Sequence, residues 1–435
     1  MTSVQTKLLV GVAMTRLLRS LLVLSVIVAP SCSFLLTTSR RSCTFSLIYA
    51  SSRSCSGGRP PTYVDDDGKP MTGPIPSFVA SSSSSTIKKK KDAFDEDDNA
   101  HSKETILVIG ASGGTGLRAL SGLVDVGYIP SQIRVMTRNE TKSSILVIKQ
   151  LGFQTCTADL EIPSTLSSAI TGCTLCYVHS TSSDTKQLDT AEVHRAQNLA
   201  RAIISFNYNA ARGGGETVGH STIRRVVYNS AAASTEDKCI PYRIAQKHAV
   251  ECVFRNKYIV GCGTVASLSF ISLRANLFME ELWKSYTRPA ILAGKYPFAI
   301  PSNRYVYLTS VRDMGRIAGT VLQQQQSTTN NGGVCNINVA SDKLTPPMMA
   351  EKFAQAQNSR CVHKRSRFFS LLARLFFKDL YEVIQFYRTT TEITDIDALK
   401  NQFTGVQLTS FESFLKETQW GDKTLTYEDM STVTK

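Results

Sequence analysis

Residues 105–120 read TILVIGASGGTGLRAL, an apolar run that passes directly into a knot of small residues. The run Ile106-Leu107-Val108-Ile109 has no polar alternate, which is the pattern of a parallel strand covered on both faces. Gly110, Gly113 and Gly116 then fit G-x-x-G-x-x-G, and Leu117, Leu120, Leu123 and Val124 follow at helical spacing. The first glycine of such a loop permits a tight turn and the second lets the backbone approach a pyrophosphate. The third lets helix and strand pack closely. The N–H groups at the helix start face the phosphates, where the helix dipole favours negative charge. Gly110, Ser112, Gly113, Gly114, Thr115 and Gly116 are therefore predicted to hold a dinucleotide. A merely flexible loop is the competing reading, and further strand–helix units downstream argue against it.

Those units recur. QIRVMT (132–137) reads as a second strand, with a return helix around 141–151. FQTCTA (153–158) reads as a third strand ending at Asp159. TLCYV (174–178) reads as a fourth, followed by a long helix from about Thr185 to Phe206. RRVVYNS (224–230) and LSFISLR (268–274) supply a fifth and a sixth, with a helix over 239–256 between them. Strands and helices alternating at this spacing predict an α/β fold, a doubly wound parallel sheet with right-handed crossovers. The insert NYNAARGGGETVGHST (207–222) is expected to be a surface loop.

The residue after the second strand selects the nucleotide. A carboxylate there accepts the ribose hydroxyls of NAD, whereas an arginine pairs with the 2′-phosphate of NADP. The chain has Thr137-Arg138-Asn139 and no acid until Glu140, so NADP(H) is expected, with Arg138 as the phosphate ligand. An ordinary surface arginine is the alternative. Residues 104–435 carry 36 Lys and Arg against 27 Asp and Glu, a moderate excess that suits an anionic ligand. The four lysines at 88–91 have no aromatic residue interleaved, so no nucleic-acid partner is expected.

With these residues placed, the chain resembles the NmrA-like family of atypical short-chain dehydrogenases/reductases over about 105–420. The resemblance rests on GASGGTG (110–116), MTRN (136–139), Ala158-Asp159-Leu160, the Lys247-x-x-x-Glu251 helix, SLRANLFMEELW (272–283) and VRDMGRIA (311–318). Ala275 stands where that family usually has proline. The resemblance implies a Rossmann domain over 104–275 and a smaller C-terminal α+β lobe over 276–435, with the chain returning to the Rossmann sheet near 300–340. It adds Asp159, Leu160, His179 and Ser180 to the expected cofactor contacts, the last two on the nicotinamide side.

Short-chain dehydrogenases generally use a Ser, a Tyr and a Lys, the last two four apart on one helix face. This chain offers Ser230, Tyr242 and Lys247, but the spacing is five, which at the helical repeat sets the two side chains roughly 140° apart. That dyad is broken. Lys247 remains the candidate to contact cofactor or substrate and, as a weaker candidate, to move a proton. Lys247 and Glu251 are four apart, so ordinary i,i+4 ion pairing is the structural alternative. Two functions follow: an NADPH-dependent reductase of a small carbonyl, quinone or conjugated alkene, or a nucleotide-binding regulator or photosystem-assembly factor without catalysis. The partner is thus a small-molecule substrate, or a protein bound through the C-terminal lobe.

Flanking segments fill out the organisation. Met1 to Val64 holds no Asp or Glu; residues 1–33 read as a signal peptide with a short apolar core, and 34–64 as a Ser/Thr-rich plastid transit peptide. A mitochondrial presequence or a secretory or membrane-anchoring role is the alternative. Residues 65–103 read as a disordered linker. No transmembrane helix is expected in the mature chain. KRSRFFSLLARLFFKDLYEVIQFY (364–387) reads as a helix that covers a pocket, with a partner surface or a membrane surface as alternatives. Cys173 and Cys176 form a CxxC on the approach to an apolar strand, where burial is favoured over redox or metal chemistry.

Overall fold

A computed structural model describes residues 104–113, 115–179, 190–212, 222–234, 236–237, 240–260, 268–324, 334–364 and 378–430. The expected signal, transit and linker segments lie outside the described residues, as do Gly114, Ser180, 213–221 of the insert and 365–377 of the C-terminal stretch.

Seven strands form one parallel sheet: β1 (Ile106–Ile109), β2 (Ile133–Thr137), β3 (Gln154–Thr157), β4 (Leu175–Val178), β5 (Arg225–Ala231), β6 (Ser269–Ala275) and β10 (Val334–Val339). Their order is β10-β6-β5-β4-β1-β2-β3. The unbroken apolar run of β1 is explained by its neighbours. Ile106 and Val108 point into one core, with Leu120 and Leu123 of α1 (Gly116–Asp125) and Ile145 and Ile148 of α2 (Ser143–Gln150). Leu107 and Ile109 point into the other, under α3 (Leu166–Ile170), α4 (Thr190–Arg212) and α5 (Tyr242–Val260). Helices cover both faces, so the sheet is doubly wound, and the strand order reverses between β1 and β4.

The expected loop at 207–222 is corrected in its first part, because α4 continues through Arg212. Asn207 is the physical reason. Its buried amide donates to the Ile223 carbonyl at 2.8 Å and accepts from the Ile223 N–H at 3.0 Å, tying the helix to the chain just before β5.

Between β6 and β10 the chain leaves the sheet. It forms β7 (Leu277–Phe278), α6 (Arg288–Leu292), β8 (Lys295–Tyr296) and β9 (Val306–Thr309), then returns along α7 (Val311–Gln323). Helix α7 packs on α1 at backbone distance. A Cβ on Gly122 would fall 2.1 Å from the Arg312 carbonyl oxygen, and one on Gly315 2.1 Å from that of Ala119. The lobe adds β11 (Asp342–Leu344), α8 (Pro346–Ala356), β12 (Val362–His363), α9 (Lys378–Thr389), α10 (Ile396–Gln402), α11 (Phe411–Glu417) and α12 (Tyr427–Met430). Strands β11, β9 and β7 form a small mixed sheet over a third core. That core is aromatic, with Trp283 and Trp420 edge-to-face at 5.4 Å and Phe353 between Trp420 and Phe411.

Candidate functional site

The glycine loop leaves β1 at its carboxyl end, beside the topological switch point where ligands bind in open α/β sheets. Gly110 has φ +87°, a left-handed conformation that a side chain would strain. A Cβ on Gly116 would sit 1.7 Å from the Ala111 carbonyl oxygen, so only glycine lets α1 start this close to the loop. Gly113 is exposed, and a Cβ there would meet nothing nearer than the Gly110 oxygen at 3.7 Å. Its role is to leave room above the loop rather than to pack within it. Helix α1 begins after Thr115 with no side-chain cap and no acid in its first turn, so no side chain of that turn neutralises the positive end of its dipole, although the first amide, that of Gly116, donates to the Gly113 carbonyl at 3.0 Å. A dinucleotide pyrophosphate fits this cradle.

Beside the loop, the turn after β2 is built by its own side chains. Thr137 Oγ1 donates to the Asn139 carbonyl and Asn139 Oδ1 accepts from the Thr141 N–H at 2.8 Å. Arg138 projects from this turn, exposed and without an ion pair among the described residues. Glu140 is engaged elsewhere, accepting from Lys149 at 2.7 Å and Thr157 at 2.9 Å. Lys142 was not among the residues picked out from the sequence. Its Nζ donates to the Ser112 carbonyl at 2.7 Å, and Ser144 Oγ donates to the same oxygen at 3.0 Å, so the α2 start braces the glycine loop and adds a cation to its rim. A lysine a few residues past β2 is a common thing, and nothing in its spacing marks it.

At the end of β3, Asp159 is half-buried and its Oδ1 accepts from the Glu161 N–H at 2.9 Å, while Leu160 is buried with its carbonyl taken by Asn198. These two form a turn and an apolar floor at the carboxyl end of β3. On the opposite side His179 follows β4, its N–H bonded to the Ile109 carbonyl. The ring lies between Thr115 Oγ1 at 3.3 Å and Asn229 Nδ2 at 3.1 Å. Burial, then the nearby Lys247 charge, push its pKa down to about 4, so the ring is neutral at ordinary pH.

Lys247 sits in the second turn of α5, and here the i,i+4 pairing with Glu251 is corrected. Its Nζ donates instead to Glu192 Oε1 on α4 at 2.6 Å. Glu251 is already occupied. It accepts from Arg274 at 2.6 and 3.0 Å, from Ser272 at 2.7 Å, from Ser230 at 2.5 Å and from Arg255 at 3.2 Å. Burial alone would raise its pKa, but the Arg274 hydrogen bonds and charge outweigh it and hold the carboxyl near 2. Ser230 is thereby committed to a buried structural network. Tyr242 opens α5, is 46% exposed, and cannot share a face with Lys247. Ser230, Tyr242 and Lys247 therefore form no Ser–Tyr–Lys constellation.

Cys173 and Cys176 are free and buried, and burial pushes the Cys173 thiol up to about 11 and Cys176 higher still, so neither is a ready thiolate. Among the described residues no three His, Cys, Asp or Glu side chains converge on a metal site, and no helix is long and apolar enough to cross a membrane.

A glycine loop at the head of a central parallel strand, an open helix N-terminus above it and a switch point beside it define an NAD(P)-binding Rossmann protein. The chain belongs to the NmrA-like family, whose model matches residues 102–415. Its fold is that of Citrobacter sp. triphenylmethane reductase complexed with NADP(H), at 17% identity and TM-score 0.53, covering 72% of this chain and 99% of that one. It is also that of the NADPH-dependent quinone oxidoreductase of Escherichia coli complexed with NADPH, at 15% identity and TM-score 0.51, with 72% and 99% covered. A mutant NmrA matches at 15% identity and TM-score 0.52, with 72% and 95% covered. No curated protein sequence matches.

Proposed function

We propose that this protein is an NADPH-dependent oxidoreductase acting on a small carbonyl, quinone or conjugated-alkene substrate. The observation that carries the cofactor choice is the β2 turn. Arg138 is exposed and makes no ion pair among the described residues, while Glu140, the next acid along the chain, is tied to Lys149 and Thr157. Bound there, NADPH supplies a hydride to the substrate. The residues of this chain do the rest. The α1 amides hold the pyrophosphate, Arg138 takes the 2′-phosphate, and His179 and Lys247 line the nicotinamide end. His179 is neutral, so it offers a hydrogen bond rather than a charge.

A second reading, a non-catalytic NADP(H)-responsive regulator, is favoured by one observation: Ser230 is held by Glu251, and Tyr242, at a spacing of five, does not share a helix face with Lys247. Direct hydride transfer to a quinone or activated alkene does not require that tyrosine, which is why the reductase reading is preferred. The address carried by residues 1–64 is proposed to be a plastid.

One experiment tests both halves. The Arg138–phosphate contact is charge-assisted, on the order of 1.5–3 kcal/mol, so Arg138→Ala should weaken NADPH about tenfold or more and leave NADH nearly unchanged. The same preparations are assayed for NADPH oxidation across quinones, small carbonyls and conjugated alkenes. Equal losses for both nucleotides would remove Arg138 from the site. Tight NADPH binding with no turnover on the whole panel would favour the regulator.

A further inference from the structure

Helix α4 inserts a fully buried carboxylate, Glu192, beside Lys247 at the proposed nicotinamide end, and nothing in its sequence neighbourhood marks it. Two neighbouring residues of α5 converge on it: Lys247 Nζ donates to Oε1 at 2.6 Å and Gln246 Nε2 donates to Oε2. Lys247 differs from its partner in keeping 16% of its side chain exposed, so it spans from the buried carboxylate toward the open cleft. Its ammonium lies 5.7 Å from the centroid of the Tyr228 ring and close enough to His179 to depress that ring's pKa. His179 in turn contacts Thr115 of the glycine loop. The lysine is therefore fixed from behind by α4, flanked by β5, and faces the side of the cleft where the cofactor loop lies.

We propose that Glu192 is a positioning residue for Lys247, anchoring one ammonium proton so that the others are presented to the nicotinamide end of bound NADP(H). This rests on the reading of Lys247 as a cofactor contact. The physical reason is conformational. A lysine has four rotatable bonds and no preferred direction, and a free ammonium would sample many rotamers around a partly open cleft. A carboxylate that is itself immobilised, by complete burial and a second donor from Gln246, removes that freedom before the cofactor arrives. It also balances the charge, so that the ammonium is kept in a largely desolvated pocket without an unpaired buried ion.

The test is a double-mutant cycle read by NADPH binding to the full chain, with no turnover required. Lys247→Met removes the ammonium, Glu192→Gln removes the anchor, and the combined variant removes both charges at nearly constant volume. Glu192→Gln should weaken NADPH about tenfold in the wild-type background and change it by less than about twofold in the Lys247→Met background, because the anchor acts only through the lysine. Glu192→Asp, which keeps the charge, should recover part of the loss. Circular dichroism and thermal melts identify any variant that fails to fold. If Glu192→Gln alone does not fold, the combined variant and Glu192→Asp still decide the question. Folded Glu192→Gln protein with wild-type affinity, equal weakening by Glu192→Gln in both backgrounds, or folded Glu192→Asp protein that binds NADPH no better than Lys247→Met does, overturns the positioning role. Wild-type affinity in Lys247→Met overturns the cofactor-contact reading beneath it as well.

Discussion

His179 shows how much one residue's surroundings decide at this site. Its burial and the Lys247 ammonium lower its pKa from 6.5 to about 4, so the folded protein resists protonating it while the unfolded chain does not. Between those values the unfolded state binds more protons, and stability rises with pH. The contribution is fully present above about pH 6.5 and lost as pH falls toward 4, a difference of roughly 3 kcal/mol for a shift of this size. His248 is also lowered, by burial first, so the clean measurement is a comparison. Thermal melts of wild type and His179→Gln should diverge above about pH 6 and converge toward pH 4; parallel curves would mean that the ring titrates normally. Gly110 and Gly116 were legible in the sequence, since each acts within a few positions of a strand end. Glu192 and Lys142 were not. Glu192 lies 55 positions from Lys247, in an ordinary helical turn, and only the packing of α4 against α5 makes the two neighbours. The seating of α5 on β6 gave Glu251 to Arg274, which overrode the local i,i+4 expectation.

At the scale of elements, apolar runs announced β1 and β4 because each is buried along its whole length and has no polar alternate to confuse its reading, whereas the edge strand β3, QTCT, is at most half-buried. The extension of α4 through 207–212 escaped notice for the opposite reason. Asn207 and its neighbours are polar, and the helix holds there by one buried amide bridging to Ile223 rather than by an apolar stripe. The α1–α7 contact was equally silent in the sequence. Gly122 and Gly315 look like neutral helix breakers until the two backbones are seen to cross on them. Their absent side chains let α7 lie flat on the helix that starts at the phosphate loop. Gly315→Ala in a free helix would be stabilising by about 0.5–1 kcal/mol. Here the added Cβ meets a backbone oxygen at 2.1 Å that has no rotamer to yield, so the helices must separate. The expected outcome is a net loss of about 1–3 kcal/mol, with weakened NADPH binding as the α1 N-terminus shifts. Denaturant unfolding and NADPH titration of the same sample check both, and a stabilised variant would show that α7 gives way without cost.

At the scale of the whole molecule, a buried ion pair ties the first helix of the Rossmann sheet to the lobe. Arg118, two residues into α1 from Gly116, donates through Nε to Glu280 Oε1 at 2.9 Å, and neither side chain is more than 1% exposed. Glu280 belongs to the segment just after β7 and also accepts the N–H of Val311 at the start of α7 at 3.0 Å. Arg118 lies over the Phe414 ring and within 3.7 Å of Glu417, both on α11. One side chain therefore links the helix under the phosphate loop to the two ends of the lobe. Burial pushes the Glu280 pKa up and the Arg118 charge pulls it back, so the carboxylate depends on its partner. Replacing the whole pair by apolar residues is often neutral, but removing one member leaves an uncompensated buried charge at about 3–5 kcal/mol. Arg118→Met should therefore destabilise the protein by about that amount, and Arg118→Met combined with Glu280→Leu should recover much of it. If the pair truly couples the two halves, wild type melts in one transition, whereas Arg118→Met exposes protease sites in 378–430 before the Rossmann sheet unfolds. NADPH, proposed above to bind at the head of α1, should raise the melting temperature of wild type and delay lobe cleavage. In Arg118→Met it should still stabilise the sheet but no longer protect the lobe. Equal protection of the lobe in both proteins would place the coupling elsewhere.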